Sequence, residues 1–420
     1  MRGTGAAFDV ASRATADVVI VGGGAIGCAL ARELALRGVS VAVIERGKPG
    51  AEASGAAAGL LSPQADAVAP GPFFDLCVES RGLYPDWARE LSEETGSDVG
   101  YRRTGILRCA LPEDRARLSV FLWQREAGFA LEHCDAAGIA ARSDGRVASE
   151  VREALFFPDE AIVDSRRLTR ALWLSAERRG ARMLLGTTAR RFLLRAGVCR
   201  GVETDGGAIE SARVVDAAGA WAAFDDTLPF RLPVSPVHGQ IVQLETREAV
   251  LPTVIQSEEV YVVPRADGSL LLGSTFESVG FEKRVTAGAV QKLIGAAARL
   301  VPSLASARFV TAWAGLRPGT PDGLPVLGPS PVPGLYLATG HFRNGILLAP
   351  VTARILADAL TGKGSLDLTV FSAKRFAENR RTPAPQARHR REFSDRIRPA
   401  SAGNSAPTGE GSCRGPRHRL

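Results

Sequence analysis

The chain has 420 residues, of which 45% are hydrophobic and 23% are charged, an ordinary globular composition with room for two domains. It contains no apolar run of about 18 residues, so stable membrane insertion is not expected. The formal net charge is +7, but residues 381–420 hold nine arginines against three acids. The remainder is nearly neutral, and nucleic acid is therefore not indicated as a partner.

The two ends of the chain differ in composition from its middle. Residues 1–16 carry two arginines but no apolar segment of signal-peptide length, and we expect a loose leader there. Residues 370–420 are Arg-rich and poor in apolar residues, which predicts a disordered tail. The tail is expected to be a solvated extension, with weak binding to anionic surfaces as the alternative. Six scattered cysteines without metal-ligand spacing favour a reduced, cytoplasmic protein without structural zinc.

The first informative motif is a glycine-rich turn between a strand and a helix. Residues 18–21 read VVIV, which is typical of a strand buried on both faces. Gly22, Gly24 and Gly27 then satisfy G-x-G-x-x-G, a pattern that lets a pyrophosphate approach the N-terminus of the following helix. A second strand, residues 39–44, ends at Glu45, where a carboxylate binds a ribose hydroxyl. This order predicts a site for NAD or FAD rather than NADP.

Two later segments bear on the choice between these cofactors. The Ser-, Gly- and Ala-rich run after Glu45 leaves room for a flat, bulky ligand against the backbone, and Ser54 can offer a hydroxyl to phosphate. Residues 213–219 read RVVDAAG, a second strand that ends in small residues. Close approach to a dinucleotide is one interpretation of this segment, and a plain core strand followed by a turn is the other.

The rest of the chain alternates between helical and strand patterns. Helices are predicted over about 72–94, 113–128, 166–179, 286–300 and 346–360, with Asp164 as the N-cap of the third. Strands are predicted around 181–185, 190–194, 213–216 and 335–338. Residues 232–312 alternate as an antiparallel sheet does, with Asp267-Gly268 as a hairpin turn.

These elements predict two interleaved domains with a ligand cleft between them. We assign residues 17–98, 149–231 and 313–369 to the dinucleotide domain, and residues 99–148 and 232–312 to the second domain.

The segment from Trp313 to Pro350 carries the second informative signal. It places Arg317 and Arg343 in Gly/Pro-rich turns around a short apolar strand. Two arginines beside such turns suggest a small carboxylate held by a fork of donors. An ion pair between Arg317 and Asp322 is the alternative.

Several of these motifs together resemble the glycine oxidase branch of the D-amino-acid oxidase family. They are GGGAIG, the Glu45 acid, SGAAAGLL, YVVPR from Tyr261, WAGLRPGTPDG and GHFRNGILLAP. The resemblance extends from about Asp17 to about Thr369. It implies an α/β fold in which a Rossmann-type FAD-binding domain is interleaved with a substrate domain built on an antiparallel or mixed sheet.

The resemblance also implies the cofactor and its contacts. FAD is expected to be noncovalent, because Gly315 stands where sarcosine oxidases carry the cysteine that tethers it. The cofactor residues expected from the matching motifs are Gly22, Gly24, Ala25, Ile26, Gly27, Glu45, Arg46, Ala53, Ser54, Ala58, Gly59, Leu60, Ala189, Gly219, His341, Phe342, Arg343, Asn344, Gly345, Ile346 and Leu347.

For the substrate, the resemblance implies a small amino acid, with Arg317 binding its carboxylate and Tyr261 donating a second hydrogen bond. Arg343 is expected near flavin and substrate, and Leu60 is expected to close a small pocket. Structural roles for Tyr261 and Arg343 are the alternatives. No catalytic acid or base is predicted, since hydride can leave the α-carbon directly.

The expected activity is oxidation of glycine, sarcosine or D-alanine with O2 and release of H2O2, feeding thiamine thiazole synthesis through a functional link to thiazole synthase. The strand 270–273 lacks the lysine that activates oxygen in sarcosine oxidases, so a D-amino-acid dehydrogenase stays open. A flavin-binding protein without a substrate is the third hypothesis. Homo-oligomerisation stays open.

Overall fold

The computed structural model describes residues 14–247, 251–363 and 367–376, and these residues belong to one compact unit. The predicted disordered tail lies outside the described residues from 377 onward, as does the predicted leader up to residue 13. The first residues of the predicted tail, 370–376, are instead ordered in short 3-10 helices, with Phe371 buried. Within these ranges, no helix is both long and apolar enough to cross a bilayer.

The strands follow one another in three sheets and one short pair. In chain order they are β1 (Ala14–Thr15), β2 (Val18–Val21), β3 (Val41–Glu45), β4 (Leu60–Leu61), β5 (Ile106–Ala110), β6 (Glu132–Cys134), β7 (Glu153–Phe157), β8 (Ala161–Ile162), β9 (Arg182–Leu185), β10 (Ala189–Arg195), β11 (Val198–Thr204), β12 (Gly207–Glu210), β13 (Arg213–Asp216), β14 (Ser235–Glu245), β15 (Val254–Gln256), β16 (Tyr261–Pro264), β17 (Ser269–Gly273), β18 (Arg308–Gly319), β19 (Val326–Pro329) and β20 (Leu335–Thr339).

Helices cover the outer faces of these sheets. The α-helices are α1 (Ala25–Leu36), α2 (Ala53–Ala56), α3 (Pro63–Asp66), α4 (Pro72–Thr95), α5 (Trp123–Glu126), α6 (Ala136–Ser143), α7 (Ser165–Arg178), α8 (Ala287–Leu300) and α9 (Ala349–Thr361). Short 3-10 helices span Pro112–Phe121, Gly219–Trp221, Pro302–Ser306, Thr369–Phe371 and Ala373–Phe376.

The first sheet has the order β19-β20-β13-β2-β3-β9, and every neighbouring pair except β19 with β20 is parallel. All four residues of β2 are buried, as the VVIV run predicts for a central parallel strand. Helices α1, α4, α7 and α9 contribute to the same apolar core. Asp164 caps α7 by accepting hydrogen bonds from two backbone N–H groups, as predicted.

A small sheet of order β1-β12-β11-β10 packs beside the first one. Its edge strand β1 pairs Ala14 with Ile209 and Thr15 with Glu210. The predicted leader therefore ends earlier than residue 16, because two of its residues join this sheet.

The third sheet, of order β18-β14-β17-β16-β15-β5-β7-β6, is antiparallel except for the β15 and β5 pair. Asp267-Gly268 turns the β16–β17 hairpin, as predicted, with Gly268 at φ 83°. Strands β14 and β18 form a long ladder that pairs Gly239 with Gly315 and Val237 with Arg317. Both strands of this ladder contribute residues to the cavity described below.

The predicted fold class is confirmed, but several details of the prediction differ. The predicted helix over residues 113–128 is instead a 3-10 helix, Pro112–Phe121, followed by the short α5. Strands β7 and β18 belong to the third sheet, so the predicted boundaries at residues 149 and 313 each divide that sheet. Arg317 lies within β18 rather than in a turn. Helix α9 begins at Ala349, three residues later than predicted, because residues 341–348 form successive tight turns first.

Candidate functional site

A cavity of about 340 Å³ runs between the first and third sheets. The glycine-rich turn after β2 lines one end, and Arg317 and Tyr261 line the other. The carboxyl ends of β2, β3 and β13 all point toward the first end, as expected for a dinucleotide site in an open parallel sheet.

The three fingerprint glycines have different structural roles. Gly22 has φ 112°, and a Cβ there would overlap the Ala217 carbonyl. A Cβ on Gly27 would overlap the carbonyl oxygen of Gly22, so Gly27 lets α1 pack on the turn. Gly22 and Gly24 line the cavity, whereas Gly27 does not. Gly27 thus supports a cofactor site from behind rather than by contact.

Hydrogen bonds hold the polar groups of this end in place. The Glu45 carboxylate accepts the backbone N–H groups of Gly23 at 2.8 Å and Gly47 at 2.7 Å. The Ala25 N–H donates to the Ser54 hydroxyl at 3.0 Å, which leaves the hydroxyl proton able to donate to a ligand. A fixed acid at the end of β3 and a donor beside a helix N-terminus fit a ribose and a phosphate.

The middle of the cavity is built from small residues. Residues 56–59 and 217–220 line it on two sides, and a Cβ on Gly219 would meet no atom within 4 Å. Gly315 faces α2, where a Cβ would overlap Ala56. Such walls leave room for a flat ring system against the backbone.

Arg317 occupies the far end without an acidic partner among the described residues. Its Nη1 donates to the Thr275 carbonyl at 3.1 Å, and its Nη2 donates to the Ser274 hydroxyl at 2.7 Å. Burial lowers the pKa of Arg317 to about 10, and Arg343 contributes to the shift. The guanidinium is therefore still charged at neutral pH.

The alternative ion pair between Arg317 and Asp322 is not formed. Asp322 instead accepts from Arg375, at 2.7 Å from Nε and 3.2 Å from Nη2. Arg317 thus keeps donors for a ligand in the cavity.

Two strand glycines make room for the side chains that line this end. A Cβ on Gly239 would overlap the Arg317 guanidinium, and a Cβ on Gly273 would overlap the Tyr261 ring and hydroxyl. Both side chains therefore lie close over the third sheet. Burial raises the pKa of Tyr261, so its hydroxyl stays protonated and can donate to an anion.

Arg343 is engaged differently from Arg317. Its Nη2 lies 3.0 Å from both carboxylate oxygens of Asp66, so its charge is already compensated. In the same turn, burial lowers the pKa of His341 to about 3, and its Nε2 lies 3.2 Å from the Thr352 hydroxyl. His341 is thus neutral and unsuited to act as a cation.

The structure brings nearly all of the predicted site residues together around the cavity. The members that line it are Gly22, Gly24, Ala25, Ile26, Glu45, Arg46, Ala53, Ser54, Ala58, Gly59, Leu60, Ala189, Gly219, Tyr261, Arg317, His341, Phe342, Arg343, Asn344, Gly345 and Ile346. Leu347 does not line it. Its side chain is buried, and its carbonyl accepts from the Ser80 hydroxyl at 2.6 Å.

Sequence reasoning missed the residues that position the arginines. Asp66, Gly239 and Ser274 also line the cavity, but only the first two leave a usable signal. A glycine inside a strand, such as Gly239 in β14, indicates that another group approaches the backbone closely. Asp66 follows the small-residue run closely. Ser274 gave no sign.

A glycine-rich dinucleotide cradle shares one cavity with Arg317, which has no acidic partner among the described residues. A cradle of this kind at the carboxyl ends of parallel strands is typical of a dinucleotide-dependent oxidoreductase. Residues 17–359 match the family described as FAD dependent oxidoreductase, known as DAO. The chain belongs to this family, and FAD is its cofactor. The donor set fits FAD, because Glu45, the Ser54 hydroxyl and the small-residue walls line one continuous cavity.

Relatives and solved structures agree with this assignment. The bifunctional protein ThiO/ThiG of Trichormus variabilis is 39% identical over 386 residues, covering 91% of this chain and 58% of that protein. The chain thus spans little more than half the length of that relative. Glycine oxidase of Geobacillus kaustophilus is 38% identical over 86% of this chain and 97% of its own length. A crystal structure of glycine oxidase from that organism superposes with TM-score 0.82, at 36% identity over 86% of this chain and 98% of its own.

Proposed function

We propose that the chain is a glycine oxidase. It oxidises glycine, and more slowly sarcosine and D-alanine, to the imine while O2 is reduced to H2O2. For glycine, the amine loses two electrons and two protons, which the H2O2 carries, and water then converts the imine to glyoxylate and ammonia. The observation that carries the proposal is the charged Arg317 inside the cavity of the dinucleotide cradle, where no described residue pairs it with an acid.

In this proposal Arg317 binds the substrate carboxylate with the donors that Ser274 and Thr275 leave over. A charge-assisted hydrogen bond of this kind contributes about 1.5–3 kcal/mol. The Tyr261 hydroxyl donates to the same carboxylate. FAD held by the glycine-rich turn and residues 341–346 would supply the hydride acceptor that the side chains of the cavity lack. No side chain of the cavity has to remove a proton from carbon, and the neutral His341 would not repel a substrate amine.

We further propose that Leu60 limits the size of the substrate. It lines the cavity and is half-buried, and it pairs with Ile162 in the short β4–β8 ladder. A leucine fixed there leaves space for hydrogen or methyl on the α-carbon but opposes bulky side chains.

Noncovalent binding of FAD remains part of the proposal. The residues lining the cavity include no cysteine, and Gly315 packs against Ala56 where a larger side chain would not fit. Precipitating the protein with acid should therefore release all of the flavin into the supernatant.

The cellular setting is also a proposal. The similarity to a protein named ThiO/ThiG supports a link between the imine product and thiazole synthase, and a cytoplasmic location suits that link.

The glycine-rich turn, residues 53–60 and residues 341–346 would contact FAD, and Arg317, Tyr261, Arg343 and Leu60 would contact substrate.

The test is an anaerobic titration of the FAD-loaded protein with glycine, sarcosine, D-alanine and D-proline. Glycine is expected to bleach the flavin absorbance, and admission of O2 is expected to restore it with one H2O2 for each glycine. Bleaching without H2O2 would favour a dehydrogenase with another electron acceptor. If none of the four amines bleaches the flavin, the oxidase proposal is wrong.

A further inference from the structure

Phe276 lies between the two arginines of the site, although it belongs to neither predicted motif. Its ring centroid is 4.6 Å from the Arg317 Cζ and 5.5 Å from the Arg343 Cζ. The ring of Phe342 is 6.1 Å away. With 43% of its surface exposed, Phe276 is not held there by burial in the core.

The ring completes a set of contacts that fix the Arg317 guanidinium. The backbone of Gly239 approaches it so closely that a Cβ would overlap it. Thr275 and Ser274 accept two of its five N–H donors. Since both acceptors directly precede Phe276 in sequence, one short segment supplies both the hydrogen bonds and the ring contact.

The charges around the ring explain what an aromatic side chain adds. Arg343 is neutralised by Asp66 at 3.0 Å, whereas Arg317 has no acidic partner in the described part of the chain. The negative face of an aromatic ring attracts a cation by about 0.5–1 kcal/mol at exposed sites. Phe276 therefore compensates part of the Arg317 charge and leaves its remaining N–H donors free. A carboxylate partner would instead accept hydrogen bonds from those donors.

We infer that Phe276 is a positioning residue for the carboxylate site: its ring holds the Arg317 guanidinium with the free donors facing the cavity, and so sets the affinity for α-carboxylates. This inference rests on the proposed function. It gives the exposed aromatic a role that leucine of similar size cannot fill and that tyrosine can.

The test compares Phe276→Leu and Phe276→Tyr in the FAD-loaded protein. Acetate, a carboxylate without an amine, is titrated by calorimetry, and KM and kcat are measured with glycine. Phe276→Leu is expected to weaken acetate binding and to raise KM for glycine, each roughly two- to fivefold. The kcat of this variant is expected to stay within a factor of about 1.5 of the parent value. Phe276→Tyr is expected to keep both the acetate affinity and the KM for glycine at their parent values.

Phe309→Leu is the matched control. Phe309 is 49% exposed on β18, the strand of Arg317, but eight residues earlier, so acetate affinity and KM should not change. Equal effects of Leu and Tyr at position 276, an unchanged acetate affinity, a fall in kcat alone, or no acetate binding to the parent protein would each overturn the inference. Failure of the proposed function is separate, since it shows as absent bleaching by glycine in the parent protein.

Discussion

Arg317 carries a buried positive charge whose environment indicates what kind of ligand the cavity binds. It is held by Ser274 and Thr275 and approached by the Gly239 backbone. Asp322 pairs with Arg375 instead, and no other acid within the described ranges pairs with Arg317. A charge desolvated in this way costs stability until an anion arrives. The same arrangement that favours a carboxylate ligand therefore destabilises the ligand-free protein.

Arg317→Met should accordingly stabilise the apoprotein. Methionine retains much of the volume and removes the desolvated charge, so we expect a gain on the order of 1 kcal/mol in urea unfolding. Arg375→Met is the control, because it breaks an ion pair with Asp322 and leaves that acid without its partner. The interpretation of Arg317 is contradicted if both variants lose stability to the same extent.

Residue identities in the site were predictable where a motif carried them. Arg317 and the fingerprint glycines could be named from sequence, because glycine-rich turns and arginine beside them have a chemical meaning by themselves. Tyr261 was implied only by the resemblance to the glycine oxidase branch. The sequence did not predict which side chains pair with the arginines, although Asp66 follows the small-residue run closely. Asp66 and Ser274 reach them only through contacts between segments more than 40 residues apart in sequence or across a turn.

At the scale of elements, the turn between β7 and β8 ties two layers of the molecule together. Glu160 in this turn is fully buried and accepts N–H bonds from Gln64 at 2.7 Å and Ala65 at 3.3 Å, at the start of α3. Arg81 of α4 lies 3.4 Å away. The Oε2 of Glu160 accepts no hydrogen bond from the residues that the structure describes. Burial raises the pKa of Glu160 to about 8, against the lowering effect of Arg81.

A raised pKa predicts a specific pH dependence of stability. Between the ordinary value of 4.5 and about 8 the folded protein keeps the proton that the unfolded chain loses, so stability falls as pH rises through this window. The Glu160→Gln variant has no carboxyl group to titrate here and should not lose stability over this pH range. Its stability relative to the parent protein should be similar near pH 4.5 and should rise by a few kcal/mol toward pH 8 in urea unfolding of the apoprotein.

Asp159→Asn controls for removal of an acid from the same turn, since Asp159 pairs with the exposed Arg103 and lies farther from Arg81, at 4.0 Å, than Glu160 does at 3.4 Å. A Glu160→Gln difference that stays flat with pH would show that Glu160 is ionised in the folded state throughout.

Most element positions were predictable, and the exceptions have tertiary causes. The helices near 72–94 and 166–179 formed as predicted because their apolar spacing and the Asp164 cap act locally. Helix α9 started late because Asn344 donates back to His341 and Leu348 donates to Asn344, which closes turns first. Such hydrogen bonds depend on the cavity wall and leave no periodic signal.

At the scale of the whole molecule, the cavity exists because two sheets of different type meet. The parallel sheet brings strand ends and a helix N-terminus to one end, and the β14–β18 ladder brings Arg317 to the other. The sequence predicted both sheets but misplaced the boundaries at 149 and 313, since β7 and β18 pair with strands far away in sequence. Strand pairing over such distances is not encoded in local pattern.

Methylamine, which is glycine without the carboxylate, tests directly whether Arg317 selects substrates by that group. The measurement is the ratio of kcat/KM for glycine over methylamine in the parent protein and in Arg317→Met. Because the lost contact is worth about 1.5–3 kcal/mol, the ratio should fall about ten- to hundredfold in the variant, through glycine alone. An unchanged ratio would contradict the claim and remove Arg317 from the substrate site.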